Sequence, residues 1–270
     1  MQRGLIIAAL SAAALMSAAI SPAAAAPKEQ GATLERVRSA GKLRVCIWPA
    51  YQSITYRHPH TGQLSGIDID LSAELARDLR VAVEYVDSSF AQLIDDVEAR
   101  RCDVAMFAIG MLPARKERLA FTQPYLQSDI YGMTTRSNRV VREWTDIDKP
   151  GVVVAVQAGT FMEPVMREAL KKAQIAVIRP PQTREAELEA GRVDVFMTDY
   201  PYSRRLLDNA DWVRLVAPPR PFHVLPYAYA TVQGDAEWLG TLDAFVARIK
   251  ADGRLRNAAR RHGLEEIVVR

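Results

Sequence analysis

DVAMFAIGMLPARKERLAFTQPY, residues 103–125, decides how the rest of the chain is read. Its residues 104–109 form a continuous apolar run, which predicts a strand buried on both faces of a parallel sheet. Gly110 and Pro113 end the run, and Arg115, Lys116 and Arg118 surround Glu117 just beyond the strand's carboxyl end. In open α/β sheets ligands bind at that edge. A guanidinium there can hold a carboxylate through two parallel hydrogen bonds, so Arg115 and Arg118 are candidate anion clamps. The competing reading is a solvated basic turn, since surface arginines outnumber liganding ones.

Upstream, residues 33–42 carry Leu34 and Val37 on one helical face with Gly41 as a stop, and residues 43–47 read as the first strand. That strand runs into WPAYQSITY, where Trp48, Tyr51 and Tyr56 offer an aromatic platform. His58 and His60 have metal-like spacing, but Pro59 and Gly62 place them in an exposed turn. Leu71, Leu75 and Leu79 recur at helical spacing, residues 81–86 form a second strand that delivers Phe90, and residues 92–101 form another helix.

Downstream, residues 130–135 read as a strand leaving the first unit, and residues 152–156 open a second. AGT at 158–160 precedes a helix at 162–173, whose free N–H groups at Gly159, Thr160 and Phe161 suit an anion. Strands at 175–178 and 193–197 around a helix at 186–190 complete a βαβαβ repeat of the first unit. Asp199 sits at the mouth of the last of these strands, where the default role is a helix cap.

Residues 1–26 have the form of a secretory signal: Arg3, an apolar run over residues 5–20, and small residues that put cleavage near Ala25 or Ala26. Without Arg3 the chain has 34 basic and 32 acidic residues, too even a balance to argue for nucleic acid or an anionic membrane. The two cysteines, Cys46 and Cys102, then lie in an oxidising compartment. A bridge requires Cα atoms within about 7 Å; otherwise they are two buried thiols. With one pair and no Cys/His cluster, neither a metal nor another cofactor is expected.

GMLPARKERLAFTQPY resembles the segment of family 3 solute-binding proteins, the amino-acid receptors of ABC importers, that reads roughly G-x-T-x-x-x-R-x-x-x-x-x-F-[ST]-x-P-Y, with Arg115 six residues before Phe121 as the family's ligand arginine stands. Four further landmarks follow in order: GIDIDL at 66–71, GTF at 159–161, GRVDVFMTD at 191–199 and the closing stretch 250–263. The resemblance covers nearly all the exported chain and implies an α/β, two-lobed periplasmic binding protein-like (type II) fold with two crossover strands. The implied layout is residues 27–136 as the first part of lobe 1, 137–225 as lobe 2, and 226–270 as the return strand and C-terminal helices of lobe 1. It implies a periplasmic monomer that passes a small amino acid or related carboxylate to an ABC permease in the inner membrane, and no catalysis. Arg115 would hold the carboxylate and Asp199 the ammonium, with Tyr51 and Phe90 on the apolar body and Ala108, Gly110, Thr160 and Phe161 completing the site. The acids of GIDIDL would cap the helix that follows.

Departures from the family pattern carry information. Gly110, Leu112 and Phe161 stand where many members have hydroxyls, and Trp48 where several have an acid, so the ligand is expected to be more apolar or aromatic than a basic amino acid. Periplasmic cyclohexadienyl dehydratases, which act on prephenate or arogenate, are also similar; the resemblance places their glutamate acid at Tyr202, and a phenol of ordinary pKa ~10 is a poor donor near neutrality. The cysteine placement is similar as well to binding-protein-like accessories of periplasmic quinoprotein dehydrogenases.

Overall fold

The structure, a computed structural model, describes residues 31–270; the expected signal segment lies outside the described residues. Two sheets organise the chain, and they share one topology. In the first, the order is Ala82–Asp87, Lys42–Ile47, Val104–Gly110, Leu225–Val232 and Leu119–Phe121, with Leu126–Ser128 also paired to Leu225–Val232. In the second, it is Gln174–Ile178, Val153–Gln157, Val195–Thr198, Tyr131–Thr135 and Val213–Val216. Each opens with three parallel strands in the spatial order second, first, third, and each then accepts an antiparallel strand from elsewhere in the chain. All seven residues of Val104–Gly110 are buried, as a strand covered on both faces requires.

An aspartate enters the third strand of each sheet in the same way. Asp103 accepts the backbone N–H of Arg44 at 2.8 Å, and Asp194 accepts that of Val153 at 2.8 Å. Both therefore fasten the third strand to the start of the first. Cys46 and Cys102 are bridged, with Cα atoms 5.5 Å apart, between the first strand and the turn just before Asp103.

Three expectations change. The strand at 131–135 pairs antiparallel with Val195–Thr198 and Val213–Val216, so it belongs to the second lobe and not to a first lobe running to residue 136. Its Gly132 allows this: a Cβ there would lie 3.1 Å from Val195 and 3.3 Å from Val216. The chain thus first crosses between lobes at residues 129–130, where the Asp129 carboxylate accepts the N–H groups of Ile130, Phe222 and His223 and ties the two crossings together. Second, the helix expected at 162–173 is Met162–Ala169, because Asp148 accepts the N–H groups of Lys171, Lys172 and Ala173 and draws them out of the helix. Third, Asp68 does not cap the helix Ile67–Leu79; it is fully buried and accepts Tyr125 Oη, Tyr229 Oη and the N–H of Ala108. Asp70 of the same motif lies at the surface with Arg261 and His262.

Candidate functional site

The carboxyl ends of both parallel strand sets face one another, and the loops that follow them enclose a cavity of about 20 Å³, room for about one water. From the first lobe come Trp48 and Tyr51 after the first strand, Phe90 after the second, and Ala108 near the end of the third. From the second come Thr160, Phe161 and Met162 at the start of one helix, Arg184 at the start of another, and Thr198, Asp199 and Tyr202 around a third. Tyr227 reaches in from the antiparallel strand Leu225–Val232.

The aromatic wall is a contiguous cluster. Ring centroids are 5.3 Å apart for Trp48 with Tyr51 and for Trp48 with Phe90, and Phe90 rests edge-on against Phe107 at 5.1 Å. Ala108 adopts a left-handed backbone, φ 51°, unusual for a residue with a Cβ and held by the Asp68 carboxylate 3.0 Å from its N–H. Burial pushes the Asp68 carboxyl up to about 7, against the lowering effect of its three donors.

Arg115, in the short helix Pro113–Lys116, is the buried member of the basic turn at 5% exposure, whereas Arg118 lies outside, paired with Glu98. Its Nη1 donates to the carbonyl of Gly110 at 2.9 Å and its Nη2 to that of Gly159, in the other lobe, at 2.7 Å. Its guanidinium also lies 5.3 Å from the centre of the Phe90 ring. Burial lowers its pKa to about 10, so it stays cationic near neutrality. Gly110 stands behind this arginine rather than in the cavity wall. A Cβ there would fall 2.5 Å from Leu225 Cδ2, so a larger residue requires the end of the Leu225 side chain to turn aside.

Asp199 caps the helix Tyr200–Asn209 through the Tyr202 N–H, and its other oxygen accepts the hydroxyls of Tyr51 and, at 2.8 Å, Tyr227. It is 2% exposed, and burial raises its pKa. Burial first, and then the Asp199 charge, raise both phenols well above their ordinary value, so they remain donors. Tyr51 therefore bridges the lobes through its hydroxyl. The Thr160 hydroxyl donates to the Gln157 carbonyl at 2.8 Å.

Of the residues expected from the sequence, Tyr51, Phe90, Ala108, Thr160, Phe161 and Asp199 meet in one cavity wall, with Arg115 beside it and Gly110 behind. Arg184 and Tyr227 were not expected there. Arg184 sits in TREAELEAG, which reads only as a helix start, and Tyr227 alternates with small residues on a strand in the manner of any core aromatic.

Residues 43–265 match the model of the bacterial extracellular solute-binding proteins, family 3, and the chain belongs to that family. It is 30% identical over 208 residues to a cyclohexadienyl dehydratase of Pseudomonas aeruginosa, spanning 77% of each chain. An L-arginine-binding protein of Pseudomonas aeruginosa is 26% identical over 164 residues, 58% of this chain and 60% of the relative. Among solved structures, the ancestral amino acid-binding protein AncCDT-1, a precursor of cyclohexadienyl dehydratase, superposes with a TM-score of 0.78 at 29% identity, covering 85% of this chain and 98% of that one.

Proposed function

We propose that the protein is the periplasmic receptor of an ABC importer and binds a small amino acid or related carboxylate between its lobes. The observation that carries this reading is Arg115: a buried cation whose hydrogen bonds go to one carbonyl from each lobe, with no carboxylate in ion-pair reach among the described residues. Two carbonyls satisfy donors but leave a buried charge uncompensated, which is costly until an anion arrives. The ligand carboxylate replaces the Gly159 carbonyl on Arg115 and meets the Phe161 N–H; the Gly159 and Thr160 N–H groups, expected to be free, instead donate to the Glu163 carboxylate and the Gln157 carbonyl. Its ammonium takes the Asp199 oxygen now shared by Tyr51 and Tyr227, while the faces of Tyr51 and Phe90 cover the apolar body. A cavity of about 20 Å³ admits no amino acid, so binding requires the lobes to part and close again. The closed form presents the permease with a surface that the open form lacks.

The dehydratase relative favours an enzymatic second reading. Against it stands Tyr202, which occupies the position of the expected acid and whose burial raises its pKa further from neutrality, making it a weaker proton donor. A thermal-shift screen against amino acids, small carboxylates, prephenate and arogenate tests both. A raised Tm with an amino acid or carboxylate and no turnover supports the receptor. Formation of phenylpyruvate or phenylalanine from the last two overturns it.

A further inference from the structure

A second buried arginine faces the same cavity. Arg184, 4% exposed, lies between the rings of Phe196 and Tyr202, 5.1 Å and 4.6 Å from their centres. Its Nη1 donates to the Met197 carbonyl at 2.9 Å, and no carboxylate pairs with it among the described residues. The adjacent half-buried Glu185 does not pair with it; it lines a neighbouring cavity with Gln52, Tyr56 and His58, one of its carboxylate oxygens is buried without a hydrogen-bond partner, and Tyr202 stands in the wall of both cavities. Asp199 is the one acid in the cleft wall. With Asp199 ionised, a form that the Arg184 charge favours and burial opposes, the two guanidiniums leave the cleft one positive charge in surplus.

Charge balance then discriminates among ligands. A zwitterionic amino acid answers Arg115 and Asp199 and leaves Arg184 unpaired. A basic amino acid adds a like charge to a desolvated site, at a cost that grows as the local dielectric falls. An acid with a further carboxylate brings the site to neutrality, and a guanidinium clamped between two aromatic rings is already oriented to receive it. We propose that the ligand carries a second carboxylate, held by Arg184 from the second lobe while Arg115 holds the first. This rests on the receptor reading of the cleft. It also sets this chain apart from the arginine-binding relative, for which a cationic side chain is the cargo.

The test is titration calorimetry on protein purified from the periplasm, with ligand pairs that differ by one carboxylate: L-glutamate against L-glutamine, L-aspartate against L-asparagine, and glutarate against pentanoate. The diacid member of at least one pair should bind roughly 10- to 100-fold tighter than its partner, the weight of one charge-assisted hydrogen-bonding contact. Arg184→Gln should remove that preference by weakening the diacid member far more than its partner, and Arg184→Lys should keep part of it. Should Arg184→Gln not fold, the wild-type pairs and Arg184→Lys decide. Equal affinities within every pair, or a preference that survives Arg184→Gln, overturn the proposal. Neutral or basic amino acids that bind with no preference for a diacid, through an interaction lost in Arg115→Ala, overturn Arg184's role and leave the receptor standing. If no acid or amino acid binds at all, both fall.

Discussion

Arg115 and Asp68 illustrate two ways in which a buried charge is managed at the scale of a residue. Arg115 keeps its charge and parks its donors on the Gly110 and Gly159 carbonyls. Arg115→Ala should therefore weaken binding of any carboxylate ligand by roughly 100-fold or more, the loss of two charge-assisted hydrogen bonds, with far-UV circular dichroism unchanged. Unaltered affinity in that variant would remove Arg115 from the site. Asp68 instead yields its charge, its pKa rising from an ordinary 3.8 to about 7. The folded state binds that proton more tightly than the unfolded chain, so the stability it confers is full below pH ~4 and lost as pH rises through 7. Urea unfolding at pH 5 and pH 8 should show wild type losing roughly 2–3 kcal/mol more than Asp68→Asn over that interval. Asp199 shifts in the same direction but is common to both proteins and cancels.

At the scale of elements, the turn between Val153–Gln157 and Met162–Ala169 joins the site to the closure of the cleft. Gly159 has φ +75°, and a Cβ on it would fall 2.6 Å from the Ala91 nitrogen and 2.8 Å from the Phe90 carbonyl carbon, backbone atoms of the opposite lobe. Backbone cannot yield as a flexible side chain does. Gly159→Ala should cost about 1–2 kcal/mol for the left-handed conformation and also wedge the lobes apart. For the proposed receptor, in which the ligand is held between closed lobes, the expected outcome is affinity reduced at least about tenfold and a larger radius of gyration by small-angle X-ray scattering with ligand present. A variant that closes normally would refute the contact between Gly159 and the segment at 90–91.

For the whole molecule, the Cys46–Cys102 bridge closes a loop with a sequence separation of 56 within the first lobe. In the chain-entropy view such a crosslink removes freedom from the unfolded state equivalent to about 4 kcal/mol, and measured effects usually fall somewhat below that. Reductant, or the double Cys46→Ser and Cys102→Ser exchange, should lower Tm while leaving ligand affinity near wild type, because the bridge lies away from the cavity wall. A loss of affinity with Tm unchanged would instead tie the bridge to the site.

Sequence alone was enough for whatever depends on residues close together in the chain. The buried strand 104–110 follows from an unbroken apolar run, the helix Ala32–Ala40 from its two-residue apolar face and its glycine stop, and the choice of Arg115 and Asp199 as candidates from their resemblance to short family motifs. Tertiary structure decided what depends on partners distant in sequence. Tyr131–Thr135 has the composition of a strand for either lobe, and only its antiparallel pairing with Val195–Thr198 assigns it to the second. Asp68 reads as a helix cap until Tyr125, Ala108 and Tyr229, 57, 40 and 161 residues away, surround it with donors. Arg184 reads as an ordinary first-turn arginine until Phe196 and Tyr202 enclose it. Burial and charge compensation are properties of those long-range contacts, so no local pattern can encode them.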